Sequence, residues 1–374
     1  MRIAVVHEWL TSHAGSEKVV EQILQIYPQA DLFSLVDFLS AEQRHFIQHR
    51  SVQTSFIQQL PFAKRAFRQY LPLMPLAVEQ FDLSAYDVVI SSNHAVAKGV
   101  LTAPHQLHIS YIHTPIRYAW DLQHQYLRQA NLEQGPKSVL TRLVLHYLRL
   151  WDTTSANRVD RFVANSHFIA KRIWRAYRRP AEVIYPPVDV SRFDWRQPRE
   201  NFYLTVSRFV PYKRVDLTVA AFNQLGLPLI VIGDGADRQQ IATMAASNIR
   251  FLGQQSDDVV TDYMQRCKAF IFPAEEDFGI TPVEAQAAGA PVIAFGRGGV
   301  TETVIHGKTG LLFSEQTVDS LVQAVKSFEM GMYELSRDHL RQQAEQFSID
   351  CFRKQFFDCV ERTYTGFLQG NPLE

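Results

Sequence analysis

Residues 269–296 read AFIFPAEEDFGITPVEAQAAGAPVIAFG. Two apolar runs of strand length, AFIFPA and PVIAFG, flank an alanine-rich stretch entered through Gly279 and Pro282. A strand–helix–strand unit of this kind belongs to a parallel sheet covered by helices. The alternation extends in both directions. RIAVVHE, DLFSLVD, YDVVISS, HISYIHT, RFVANS and AEVIYPP read as strands in the first half, and FYLTVSRF, PLIVIGDG and IRFLG in the second. The pattern predicts an α/β protein of two doubly wound, Rossmann-like domains, an organisation suited to 374 residues. YPPVDVSRFDWRQPRENF, rich in proline and charge and without helical period, places a linker near residues 187–200. The domains are then 1–190 and 191–347. The tail 348–374, with Phe352, Phe356, Phe357, Val360 and Tyr364 at helical spacing, is expected to pack back on the first domain as a helix. Ligands of such folds bind beyond the carboxyl ends of the strands, so a cleft between the domains is the expected site.

Composition excludes several classes. Hydrophobic residues at 46% and 38 basic against 38 acidic side chains describe a soluble globular chain with no nucleic-acid signature. The balance conceals an asymmetry, because residues 1–190 carry 20 Lys and Arg against 15 Asp and Glu, leaving 18 against 23 in the remainder. A basic first half suits an anionic acceptor or membrane surface. Cys267, Cys351 and Cys359 lack C-x-x-C spacing, so no disulfide framework or zinc site is indicated and a reducing cytosol is the expected compartment. The opening MRIAVVHEWL has no signal-peptide pattern, and no apolar run approaches the ~20 residues that span a bilayer.

In the second half, Thr281-Pro282-Val283-Glu284 has the form of a helix start, with Thr281 as cap and Glu284 as a capping-box carboxylate. Glu275, Glu276 and Asp277 precede it, and Gly279 allows the backbone to approach a ligand. Carboxylates that accept from vicinal hydroxyls beside the N–H groups of a helix start suggest carbohydrate. In LTVSRFVPYKRVDLTV, Arg208 and Lys213 supply the fixed positive charge that holds a diphosphate, or are two solvated basic residues of a loop. The GDG turn at Gly233–Gly235 after PLIVI either contributes to that site or simply reverses the chain.

In the first half, Gly15 precedes Ser16, which can cap a helix bearing Glu17 and Lys18 and offer its N–H groups to phosphate. His113 ends a strand, with Arg117, Tyr118, Trp120 and Asp121 close behind; it is either a hydrogen-bonding partner of a reacting sugar or a satisfied structural histidine. LPFAKRAFRQYLPLMPLAVEQF and KRIWRAYRR are basic and aromatic, and either could settle on anionic lipid or form a solvated helix face.

Read together, these segments, above all SRFVPYKRVD and EEDFGITPVEAQAAGAPVIAFGRGGVTETV, resemble the retaining glycosyltransferases of family 4, which have the GT-B fold. The HTPIRYAWD stretch is similar to bacterial mannosyl- and glucosyltransferases of O-antigen and exopolysaccharide synthesis. The resemblance implies that Glu276 addresses the donor sugar, with the amides of Phe278, Gly279 and Ile280 and the helix start at Thr281 beside it. It implies that Glu284 holds the ribose diol, that Arg208, Lys213, Gly233 and Gly15 surround the diphosphate, and that His113 lies near the reacting carbon. Glu17, Arg117 and Tyr118 fall on the acceptor side. Ala14-Gly15 stands where many relatives have two glycines.

The implied reaction moves a hexose from a nucleoside diphosphate sugar, UDP-glucose first and GDP-mannose next, to a saccharide or polyprenyl-linked hydroxyl. It proceeds with retention and without cofactor or metal, in a cytoplasmic protein peripheral to the inner face of the membrane. Domain closure over the donor would exclude water. A sugar-nucleotide epimerase and a non-catalytic sugar-nucleotide-binding module are the alternatives. An NAD-dependent oxidoreductase is disfavoured because VVHEWLTSHAGSEK lacks the three-glycine fingerprint.

Overall fold

The computed structural model describes residues 1–370; the last four residues of the tail expected as a helix over 348–374 lie outside the described residues. The described chain contains two parallel sheets. The first comprises β1 (Ile3–Leu10), β2 (Asp31–Asp37), β3 (Val52–Thr54), β4 (Val88–Asn93), β5 (Leu107–Ile112), β6 (Arg161–Ala164) and β7 (Glu182–Val183), in the order β3-β2-β1-β4-β5-β6-β7. The second comprises β8 (Tyr203–Val206), β9 (Leu229–Ile232), β10 (Ile249–Gly253), β11 (Ala269–Phe272), β12 (Val292–Phe295) and β13 (Gly310–Phe313), in the order β10-β9-β8-β11-β12-β13. Two edge strands, β3 and β13, go beyond the sequence expectation. Both are short; the VQT of β3 is half to fully exposed and carries no apolar run, whereas the GLLF of β13 is apolar and largely buried.

The chain divides into two compact units, one formed by Met1–Tyr185 with the segment from Arg353 onward, the other by Pro186–Phe352. Each sheet has its own apolar core. Val6, Phe33, Leu35 and Val89 centre the first, and Tyr203, Phe222, Val231, Ile271 and Ile293 the second. Each such fully buried side chain contributes about 1.5–3 kcal/mol.

The segment expected as a linker near 187–200 is instead docked on the second unit. Val188, Val190 and Phe193 are buried, and the Arg199 guanidinium donates to the carbonyl oxygens of Gln265 (2.7 Å) and Ala288 (2.6 Å) at the ends of two helices. Charge and proline read as solvated chain, but Arg199 satisfies helix-end carbonyls that would otherwise lack partners. The tail helix Ile349–Leu368 buries Phe352, Phe356 and Val360, whereas Phe357 is exposed. It is tied to the first unit by Arg353, which donates to Gln22 Oε1 at 2.8 Å, and by Arg362, which donates to both oxygens of Glu182 at 2.8 and 2.7 Å.

In each sheet one pair of neighbours is not consecutive in the chain. β1 lies beside β4 in the first and β8 beside β11 in the second, so connections leave in opposite directions and open a crevice beyond the carboxyl ends. Both sets of chemically interesting residues fall at these points.

Candidate active site

In the second unit β8 and β11 pair through Tyr203↔Ala269 and Leu204↔Phe270, so the loops that follow them lie side by side. The loop after β8 carries Arg208 and leads through the turn Pro211–Lys213 into the helix Val215–Leu225. The loop after β11 carries Glu275, Glu276 and Asp277. The structure joins the two loops through a salt bridge from Lys213 Nζ to Glu276 Oε1, both side chains being partly exposed. Arg208 is exposed, its guanidinium donating to Tyr212 Oη at 3.3 Å.

Glycines set the backbone here. Gly279 has φ 88° and stands immediately before the helix Ile280–Ala287. The expected helix start at Thr281 is therefore corrected. Gly279 can turn the chain in the left-handed region, so the helix begins earlier and Thr281 and Pro282 lie inside its first turn. The capping-box role of Glu284 falls with it. Glu284 is buried and accepts from Arg192 Nη2 at 2.9 Å. Phe278 is buried with its ring 5.5 Å from that of Phe347, leaving its backbone as the part relevant to a ligand.

Gly233 is more than a reversal of the chain. A Cβ there would lie 1.8 Å from Ser207 O, so the GDG turn packs directly on the backbone that carries Arg208. Sequence reasoning missed the equivalent role of Gly299, whose Cβ would lie 2.4 Å from Asp277 O and whose N–H donates to Glu276 O at 2.8 Å. The GRGGV run following β12 was the available signal.

In the first unit the carboxyl ends of β1, β4 and β5 hold a buried polar cluster. His7 and Ser92 are register partners, and His7 Nδ1 lies 3.2 Å from Ser92 Oγ. Ser92 Oγ lies 2.8 Å from Nε2 of His113, the residue after β5. Burial, followed by the like charge of His94 and His7, pushes the His113 imidazole down to about 3, so it is neutral near pH 7. Glu8 Oε1 accepts from the consecutive N–H groups of His94, Ala95, Val96 and Ala97 at 2.9, 2.8, 3.1 and 3.1 Å. Burial alone would raise its pKa. His94, 2.9 Å from Oε2, and these amides instead hold it well below the usual carboxylate range. His7, Glu8 and Ser92 escaped the sequence analysis; the polar HE inside β1 and the SSN that closes β4, both in otherwise apolar strands, were the signal.

Gly15 is the first residue of the helix Gly15–Ile26, whose cap is Ala14 rather than the expected Ser16. The Ser16 hydroxyl donates to Glu17 Oε2 at 3.0 Å, and the same oxygen accepts the Ala14 N–H at 3.1 Å, so the helix start is closed by Glu17. Glu17 is itself buried, with Oε1 3.4 Å from His7 Nε2. Arg117 and Tyr118 are half-buried in the segment after His113, where burial raises the Tyr118 phenol above its ordinary range. That segment is pinned by Trp120 Nε1 donating to Asp152 Oδ2 at 2.8 Å and by Arg172 donating to Asp121 Oδ1 at 2.6 Å. Among the described residues no group of His, Cys, Asp and Glu is arranged to hold a metal ion, and no helix is long and apolar enough to cross a membrane.

Two doubly wound parallel units define the GT-B class of protein, and solved structures agree. A protein of Anabaena crystallised in complex with UDP superimposes with TM-score 0.70 over 97% of this chain and 100% of that one, at 19% identity. A family model described as Glycosyltransferase Family 4 matches residues 15–192, and one described as Glycosyl transferases group 1 matches residues 189–347. Together the two matches span residues 15–347, so the chain is similar to these glycosyltransferases along most of its length. An uncharacterized glycosyltransferase of Methanocaldococcus jannaschii is 31% identical over 50% of this chain and 54% of its own length. A GDP-mannose-dependent phosphatidylinositol monomannoside mannosyltransferase of Mycobacterium tuberculosis is 29% identical over 43% and 50%. The chain thus spans about half the length of these curated relatives.

Proposed function

We propose that this protein transfers a hexose from a nucleoside diphosphate sugar to an acceptor hydroxyl, with retention at the anomeric carbon. The observation that carries the reading is the Lys213–Glu276 pair at the β8/β11 switch point, with Arg208 in the adjoining loop and the helix start at Ile280 behind it. On donor binding the diphosphate replaces Glu276 as the counter-ion of Lys213, and the released carboxylate accepts from the sugar hydroxyls. Arg208 and Lys213 then oppose the charge that grows on the departing diphosphate, a stabilisation that requires no metal. Glu284, oriented by Arg192, takes the ribose diol. The first unit, with His113, Arg117 and Tyr118, takes the acceptor side of the reaction.

UDP-glucose is the first donor to test and GDP-mannose the second; the UDP complex of the Anabaena protein favours one, and the GDP-mannose dependence of the mycobacterial relative the other. A saccharide or polyprenyl-linked acceptor on a membrane surface fits the helix Pro136–Ser155. It exposes Leu140, Leu143, Tyr147 and Leu150 and has no acidic residue before the buried Asp152. Phe62 and Trp174 are likewise exposed in the two basic segments.

A thermal-shift series with UDP, GDP and their sugars, followed by chromatography of products with and without acceptor, tests the proposal. Stabilisation by one nucleotide and nucleotide release only when acceptor is present are expected. An isomeric nucleotide sugar formed without acceptor would identify an epimerase instead.

A further inference from the structure

We infer that His7 and Ser92 are positioning residues, which with Glu17 fix His113 as the neutral tautomer that carries its proton on Nδ1. The relevance of this to transfer rests on the function proposed above; the tautomer itself does not.

The argument is one of proton counting along a buried chain. Glu17 Oε2 accepts from the Ala14 N–H and the Ser16 hydroxyl, which holds the carboxylate ionised. Burial would raise Glu17, but the His7 contact and these donors bring it to about 2. Its other oxygen faces His7 Nε2 at 3.4 Å. His7 therefore has an anion at Nε2 and a hydroxyl oxygen, Ser92 Oγ at 3.2 Å, at Nδ1. Burial opposes charge on His7, yet the hydrogen bond and charge of Glu17 and the charge of Glu8 raise it above its ordinary range, and the protonated ring donates at both nitrogens, Nε2 to Glu17 and Nδ1 to Ser92.

A serine hydroxyl has one proton. With His7 donating to Ser92 Oγ, that proton is directed to the remaining neighbour, His113 Nε2, 2.8 Å away. Nε2 becomes an obligatory acceptor, and the neutral ring keeps its proton on Nδ1. The His113 N–H also donates to Asn93 O at 2.8 Å and the His113 carbonyl accepts from Asn165 Nδ2 at 3.0 Å, so the backbone that presents the ring is held on both sides. Glu17 accordingly acts through His7 rather than on an acceptor.

The ionisable groups that face His7 are Glu8 on its own strand, Glu17 on the following helix, His94 beyond β4 and His113 beyond β5. When His7 loses its proton, its Nδ1 can accept instead, Ser92 can turn toward it, and His113 is released to carry its proton on either nitrogen. The tautomer preference therefore weakens as pH rises through the His7 titration.

The test is two-bond 1H–15N correlation on protein labelled with 15N-histidine, His113 being assigned by its loss in His113→Asn. Near pH 7 the wild type is expected to show a protonated Nδ1 and a bare Nε2. Ser92→Ala should give a mixed or Nε2-protonated ring, Ser92→Thr should restore Nδ1, and His7→Asn, whose amide can still donate to Ser92, should keep Nδ1 and lose the pH step. With donor and acceptor, Ser92→Ala should lower kcat about tenfold with donor KM unchanged, the scale of one lost hydrogen bond to a reacting group, and Ser92→Thr should recover it. A wild-type His113 protonated on Nε2, or an unaltered tautomer in Ser92→Ala, overturns the inference even if transfer is confirmed. The expected tautomers with an unchanged kcat in Ser92→Ala overturn the positioning role.

Discussion

The two switch points of this protein are built from similar residue types and used in opposite ways. At the carboxyl ends of β1 and β4, His7, Glu8, Ser92 and Glu17 are sealed from solvent; His7 meets Ser92 and Glu17, and Glu8 meets His94 and the amides of residues 94–97, so their protonation is settled by internal partners. Beyond β8 and β11, Lys213 and Glu276 keep 16% and 19% of their side-chain surface exposed, and Arg208 is open to solvent. A partly exposed pair can change partners at smaller cost than a fully buried one. The second site is therefore suited to receiving a charged ligand and the first to holding a neutral ring in one state.

The largest test of that contrast is Lys213→Ala. Steady-state assays should show transfer reduced by roughly 10²–10³-fold, the scale of a lost electrostatic stabiliser. Thermal melting should move little, because a partly exposed pair is worth about 1 kcal/mol or less. Gly233→Ala should do the reverse of a clean active-site change. Its Cβ would meet Ser207 O at 1.8 Å and its φ of 134° disfavours a side chain, so urea denaturation should show a loss of about 2–4 kcal/mol along with impaired donor binding.

Acid should act on the first site. A depressed carboxyl contributes stability above its unfolded value, and that contribution disappears as pH falls through the folded one. For Glu17, from 4.5 to about 2, this is on the order of 3 kcal/mol lost between roughly pH 5 and pH 2. Glu8 adds to the same loss. His7 has the opposite sign. Its contribution is complete below its ordinary pKa of 6.5 and is lost as pH rises through the raised folded value. Urea midpoints across pH should show both limbs, and Glu17→Gln should flatten the acid one. Smallest of all, Arg238→Ala, which removes a largely exposed ion pair to Asp234, should change stability by no more than about 0.5 kcal/mol.

The central strands were legible because each is a continuous apolar run; β3 was not because its VQT is half to fully exposed, and the apolar GLLF of β13 was passed over. Arg208, Lys213 and Glu276 could be read from loops that follow apolar strands. Arg192 could not, since its meeting with Glu284 joins residues 92 positions apart. The helix start near Thr281 was misplaced because a positive φ at Gly279 overrode the local Thr-Pro-x-Glu signal.

Hydrophobic periodicity and the punctuation of Gly and Pro are local properties, and they alone specified two doubly wound sheets and the loops where charge collects. Which side chains become partners is not local. The neutral state of His113, the closure of Glu17 onto His7 and the pairing of Lys213 with Glu276 depend on parallel register between strands distant in the chain and on the water that burial removes, and these exist only once each sheet has assembled.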